Sequence, residues 1–282
     1  MGTELAPENI GAALQAARGR IPASEARLIL GFLLDCSTAQ IAAYPERPLD
    51  PAVATRYAEL LERRADGEPV AYLLGQREFY GRTFRVTPAV LIPRPETELL
   101  VELVLRQAMG RAAGLKILDL GTGSGALAVT LALELPANRV TAVDRSAAAL
   151  CVAEQNAQAL GAPVRFLESD WFAALVGETD FDFIVSNPPY IADGDPHLAR
   201  GDVRFEPRGA LASGTSGLDD LARIATAATG HLAPAGWLMM EHGYDQAAAV
   251  RALLLDAGFE DVASAVDLAG IERVSFGRRQ HS

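Results

Sequence analysis

Lys116-Ile117-Leu118-Asp119-Leu120, then Gly121-Thr122-Gly123-Ser124-Gly125, then Ala126-Leu127-Ala128-Val129 is the stretch that decides the fold. A short apolar run ends in clustered glycines and a helix-forming segment begins at once, which reads as strand, tight turn, helix. The alternation continues downstream. Strands are expected over 139–143, 164–167, 181–186 and 236–241, and helices over 126–135, 147–160, 218–232 and 246–257. Two closing strand-like runs, 259–268 and 272–276, flank a turn near Gly270. Alternating β and α units predict an α/β fold: a doubly wound, mostly parallel sheet with a C-terminal antiparallel strand pair.

Upstream the pattern changes. The first 76 residues predict a small helical bundle. Ser24 is the expected N-cap of a helix from Glu25 to about Asp35, and Asp50-Pro51 opens another that stops near Gly67. Phe79-Tyr80-Gly81-Arg82-Thr83-Phe84-Arg85-Val86 alternates around a glycine and predicts a β-hairpin. Val90 to Pro95 is expected to be extended, because each proline pushes its predecessor out of the helical region. A helix then runs from Glu96 to Met109 with acids in its first turn. The expected organisation is a helical domain over 1–76, a hairpin linker over 77–95 and a larger domain over 96–282.

The 282 residues carry 25 Lys and Arg against 36 Asp and Glu, a net charge of −11. That balance disfavours nonspecific attachment to nucleic acid or anionic membrane, where each phosphate contact needs a cation. The run from Leu28 to Leu34 is far short of the roughly 20 residues of a membrane helix. Met1 to Ala6 fits neither a secretory leader nor an N-myristoylation motif. Cys36 and Cys151 are expected to be small buried hydrophobes, and four His do not make a zinc site. The expected setting is the cytoplasm, with no metal.

Glycines after a strand let the backbone approach a ligand, and the following helix start is expected to offer free N–H groups. Asp144 closes the next strand, where a carboxylate can accept both ribose hydroxyls of a nucleoside. The third glycine comes one residue too early for the dinucleotide pattern, and Asp119 suits an ammonium better than a phosphate. S-adenosylmethionine carries that ammonium on its amino-acid tail, so methyl transfer is expected over hydride transfer. Asp170 can accept from an adenine amino group, and Trp171 can cover the ring face.

The strand 181–186 runs into Asn187-Pro188-Pro189-Tyr190. Two prolines remove two N–H donors and leave acceptors, the Asn187 side-chain oxygen and the Pro188 carbonyl. That pairing suits a substrate NH₂ held by both hydrogens, with Tyr190 stacked on its planar group.

Asn187-Pro188-Pro189-Tyr190 after such a glycine loop resembles class I (Rossmann-like) methyltransferases acting on nitrogens of planar systems. Glu68-Pro69-Val70-Ala71-Tyr72-Leu73-Leu74-Gly75, Glu78-Phe79-Tyr80-Gly81 and Leu91-Ile92-Pro93-Arg94-Pro95-Glu96-Thr97-Glu98 narrow the likeness. Together they resemble the peptide chain release factor glutamine methyltransferases, the HemK/PrmC family. Val203-Arg204-Phe205-Glu206-Pro207 looks like that branch more than its sibling acting on a ribosomal protein; Tyr80 stands where the family often has Trp. The resemblance implies S-adenosylmethionine on Gly121, Thr122, Gly123, Ser124, Gly125, Asp144, Trp171 and Asn187, beside the Asp170 already read as an adenine acceptor, with S-adenosylhomocysteine as product. It implies that the glutamine of a release factor's Gly-Gly-Gln loop enters the pocket of Asn187, Pro188, Pro189 and Tyr190, and that the helical domain helps hold the release factor. A monomer is expected, with no direct nucleic-acid partner. The alternatives are a ribosomal-protein glutamine methyltransferase, a nucleic-acid amine methyltransferase and a noncatalytic scaffold.

Overall fold

A computed structural model of the protein describes residues 7–280, so the reading of Met1 to Ala6 lies outside the described residues. The chain divides into two compact units between Gly75 and Gln76.

The first unit is helical: α1 (Ile10–Ala17), α2 (Ala23–Leu33), α3 (Thr38–Ala43), α4 (Pro51–Ala65) and α5 (Val70–Leu74). Asp50 caps α4 by accepting from the Ala52 N–H at 2.7 Å, with Pro51 in the first helical position. Ser24 does not cap α2. That helix starts at Ala23 behind Pro22, whose φ of −57° already suits a helix entry, so Ser24 falls inside the first turn. The apolar faces close over Ile10, Ile29, Leu30, Ile41, Tyr57 and Leu60.

The second unit opens with the hairpin β1 (Gln76–Phe79) and β2 (Arg82–Arg85). Tyr80 and Gly81 turn it with φ of 50° and 69°, the primed geometry whose twist matches the strands. The Tyr80 N–H donates to Glu98 at 2.8 Å, tying the turn to α6 (Glu98–Ala108), which a 3-10 turn at Pro95–Thr97 leads into. There follow β3 (Lys116–Leu120), α7 (Ala126–Glu134), β4 (Arg139–Asp144), α8 (Ala147–Leu160), β5 (Val164–Glu168) and β6 (Phe181–Ser186). The chain ends with α9 (Asp219–Ala228), β7 (Leu232–Glu241), α10 (Ala247–Asp256), β8 (Glu260–Val266) and β9 (Glu272–Arg278).

The sheet order is β5-β4-β3-β6-β7-β9-β8, parallel through β7, with β9 antiparallel to both neighbours. Successive strand residues alternate between two cores. Ile117, Val185 and Met239 face one, and Leu118, Ile184 and Leu238 face the other. Both faces are thus covered, which explains why these strands read as continuous apolar runs. The order reverses beside β3, since the chain moves from β3 outward to β5 and then returns to place β6 on the other side. Open sheets bind ligands at such a switch point, beyond the strands' C-terminal ends.

Two expectations fail here. The helix expected to reach Leu232 stops at Ala228, because Leu232 is fully buried and pairs with Phe181 in the ladder. Neither cysteine is fully buried: Cys36 is half-buried, and Cys151 is exposed on the outer face of α8, where Gln155 donates to its sulfur. No helix among the described residues is long and apolar enough to cross a membrane.

Candidate active site

The glycine loop and the Asn-Pro-Pro-Tyr segment meet at the switch point. The Ser186 hydroxyl, at the end of β6, donates to the Leu120 carbonyl at 2.8 Å and locks the two strand ends side by side. Asn156 on α8 holds the loop from behind. Its Nδ2 donates to the Ser124 and Arg85 carbonyls at 2.8 and 3.0 Å, and its Oδ1 accepts from the Arg85 N–H at 2.8 Å.

The loop's own N–H groups are largely occupied. Gly121 and Thr122 donate to the Val143 carbonyl, Gly123 to Asp144 at 2.9 Å, and Gly125 to the Thr122 carbonyl. An anion-cradling loop keeps such donors aimed at its ligand. This one spends them on its own shape, which favours a ligand with no phosphate at that point. Gly125 faces away from the cleft: a Cβ there would lie 3.0 Å from the Ala153 Cβ, so this glycine serves the approach of α7 to α8.

Two adjoining cavities open here. The outer one encloses about 780 Å³, part of it solvent, against Gly121, Gly123, Asp144, Asp170, Trp171 and Asn187. Asp144 accepts from Gly123 with one oxygen and from the Ser146 N–H with the other, both at 2.9 Å, so its carboxylate is held rigidly at the rim. Trp171 adopts φ of +50°, an uncommon conformation for an aromatic residue, and donates from its indole to Asp220 at 3.1 Å. Its ring lies 3.2 Å from where a Cβ on Gly121 would sit, so the glycine makes room for the indole. Asp170 sits on the rim, paired with Arg223 at 2.9 Å. Arg145 also lines this cavity and donates to the Gly209 carbonyl at 2.7 Å, drawing the 207–210 segment over it.

The inner cavity is lined by Asp119, Thr122, Ser124, Arg94, Thr97 and Asn187, among others. Asp119 is buried, and burial pushes its pKa up to about 7 even though the Thr122 hydroxyl donates to it at 2.6 Å. No ion pair to Asp119 occurs among the described residues. A buried carboxylate facing a cavity with no cation is an open position for one. The site therefore fits an ammonium group such as the one S-adenosylmethionine carries, and Asp144 lines the adjoining outer cavity.

Asn187 borders both cavities. Pro189 lines the outer one, whereas Pro188 and Tyr190 line neither; Pro188 is buried at the turn itself. The Tyr190 hydroxyl lies 3.4 Å from Glu241, and burial together with that carboxylate raises the phenol's pKa, keeping it protonated. The Tyr190 carbonyl accepts from Gln246 at 2.9 Å, and the loop behind it has room only for glycine at 217, where a Cβ would sit 2.3 Å from that oxygen.

Sequence reasoning missed several residues. Glu206 is buried and accepts from the Ile92 N–H at 3.0 Å and from Arg94, joining two of the motif stretches that carried the resemblance. Asn156, in mid-helix among alanines, left a signal, since asparagine is a poor helix former and usually has a bonding reason to be there. Glu241 left one too, a carboxylate ending an apolar strand. Its neighbour His242 is fully buried with both ring nitrogens engaged, by the Gly243 carbonyl and the Ser275 hydroxyl, and is structural.

Residues 95–202 match the family described as Methyltransferase small domain, and residues 8–75 match the PrmC N-terminal domain. The release factor glutamine methyltransferase of Bordetella pertussis (strain Tohama I) is 56% identical over 91% of this chain and 95% of its own length. That of Xylella fastidiosa (strain Temecula1) is 50% identical over 95% of this chain and 97% of its own. Among solved structures, the T. thermophilus 16S rRNA N2 G1207 methyltransferase RsmC, in complex with AdoMet and guanosine, superposes with a TM-score of 0.54. It covers 73% of this chain and 50% of that one at 24% identity, a likeness of fold alone.

Proposed function

Because the chain belongs to the release factor glutamine methyltransferase family, we propose that it methylates the side-chain nitrogen of the glutamine in the Gly-Gly-Gln motif of peptide chain release factors. S-adenosylmethionine, when bound, supplies a methyl group on a positively charged sulfur, open to attack by a lone pair, and departs as S-adenosylhomocysteine. The chain's own residues do the holding. Asp119 takes the ammonium, Asp144 the ribose hydroxyls, and Asp170 and Trp171 the adenine, along the loop from Gly121 to Gly125.

A carboxamide nitrogen is a poor nucleophile because its lone pair is delocalised, so its alignment carries the rate. The direction of the Asn187 amide is the observation that supports this most. Its Nδ2 donates to Thr97 at 3.0 Å, so Oδ1 is the end left to accept from a substrate NH₂. The Pro188 carbonyl is the second acceptor, and Pro189 and Tyr190 flank the planar group. The amide proton leaves with or after the methyl transfer, to one of these acceptors or to water.

The helical domain over 1–76 holds the release factor, the hairpin region 77–95 links it, and 96–282 carries out the transfer. The protein acts as a monomer in the cytoplasm, without direct contact to nucleic acid. Incubation with labelled S-adenosylmethionine and purified release factors, followed by peptide mass mapping, tests this. Label on the Gly-Gly-Gln glutamine is the expected result; label on a ribosomal protein or on nucleic acid instead overturns it.

A further inference from the structure

Glu241 is the last residue of β7 and 2% exposed, with one oxygen on Thr97 and the other towards Tyr190. Oε2 accepts from the Thr97 hydroxyl at 2.7 Å, and Oε1 lies 3.4 Å from the Tyr190 hydroxyl. Thr97 in turn accepts from Asn187 Nδ2 at 3.0 Å. A hydroxyl has one hydrogen, and here the carboxylate takes it. What Thr97 offers Asn187 is therefore a lone pair, which only the NH₂ end of that amide can meet. Provided Asn187 receives the substrate amide as proposed above, we infer that Thr97 and Glu241 are positioning residues that set the Asn187 amide oxygen outward and register Tyr190 on the same carboxylate.

The physical consequence is selectivity for a donor. An Asn187 turned by 180° would present its NH₂ to the substrate NH₂, two donors face to face, and the second acceptor at Pro188 could not compensate. Asn187 has no other side-chain hydrogen bond among the described residues, so Thr97 is what distinguishes the two orientations. Besides Tyr190 from the loop after β6, two charged groups act on Glu241: Glu96 from the 3-10 turn and Arg273 from β9.

The test uses the full chain, a release factor substrate, and three variants beside Asn187→Ala. Thr97→Val keeps the shape and removes the hydroxyl. It should lower kcat about tenfold or more while leaving calorimetric affinity for S-adenosylmethionine within about twofold. Thr97→Ser keeps the hydroxyl and should restore most of kcat. If Thr97 only fills space, Val is tolerated and Ser is the damaging change, which would overturn the assignment. Glu241→Met removes the acceptor and leaves the Thr97 hydrogen free to bond Asn187 Oδ1. It should lower kcat as Thr97→Val does, with cofactor affinity again within about twofold, and a kcat equal to the wild type counts against the assignment. Unchanged kcat in Asn187→Ala would instead remove the underlying role of Asn187. A tenfold loss there with normal Thr97→Val would remove only the positioning role.

Discussion

Asp119→Asn should abolish a pH dependence of cofactor binding that the wild type shows below neutrality. In the free protein, burial raises the Asp119 pKa from 3.8 to about 7, the Thr122 hydrogen bond offsetting only part of the effect. Holding an ammonium requires the ionised form, so affinity is full only well above pH 7 and is lost as pH falls through that value. With the bound carboxylate kept ionised, Kd scales as one plus the ratio of protonated to ionised Asp119. Between pH 7 and pH 5.5 it should rise about 16-fold, or roughly 1.6 kcal/mol. The ligand's own amino group has an ordinary pKa of about 7.7–8.0 and is more than about 80% charged throughout that window, so its opposing slope is small. Isothermal calorimetry at four pH values, in two buffers of different ionisation enthalpy, measures both Kd and proton release. About one proton should be released per ligand at pH 5.5 and about half a proton at pH 7. Asp119→Asn should bind more weakly at pH 7 and show a Kd constant within about twofold over the range. A flat wild-type profile, or an Asn variant that keeps the full slope, refutes the placement of the ammonium at Asp119.

Two further substitutions probe the frame of the site. Asp144→Ala removes the acceptor on which Gly123 and Ser146 both close; hydrogen bonds to a charged group are each worth about 1.5–3 kcal/mol, so calorimetric affinity for S-adenosylmethionine should drop about tenfold or more. Unchanged affinity would remove the ribose role. Asn156→Ala leaves Arg85 and Ser124 without three hydrogen bonds, a loss of about 3 kcal/mol at roughly 1 kcal/mol each. In a unit of this size that corresponds to a Tm lower by about 6–12 °C, read by calorimetric melting. A shift under two degrees would show that the hairpin and the glycine loop do not depend on that side chain.

Much of the second unit was legible because its physics is local. The strand at Lys116–Leu120, the helix at Ala147–Leu160 and the strand at Phe181–Ser186 have the ends expected from pattern alone. Buried parallel strands are short apolar runs, and glycines or a capping Ser146 mark where each gives way to the next element. The short helices α3 and α5, six and five residues long, carry too little periodicity to see. The segment 191–217 hid for another reason. It is held by scattered loop bonds, such as Ser213 to the Ile191 carbonyl, and by Glu206 reaching back to Ile92, neither of which has a local signature.

By itself the sequence determined the alternating β and α units, the glycine turn at the first strand's end, and the acceptor-rich Asn-Pro-Pro-Tyr segment, because each is a property of neighbouring residues. The order of the strands placed that segment beside the glycine loop. Tertiary structure alone decided that the loop's donors are spent on its own shape, that Asp119 stands buried without a cation, and that Thr97 and Glu241 turn the Asn187 oxygen outward. Thr97 and Asn187 are 90 residues apart, and Thr97 and Glu241 are 144. A hydrogen bond across that separation depends on which strands lie side by side, and no window of sequence contains both of its ends.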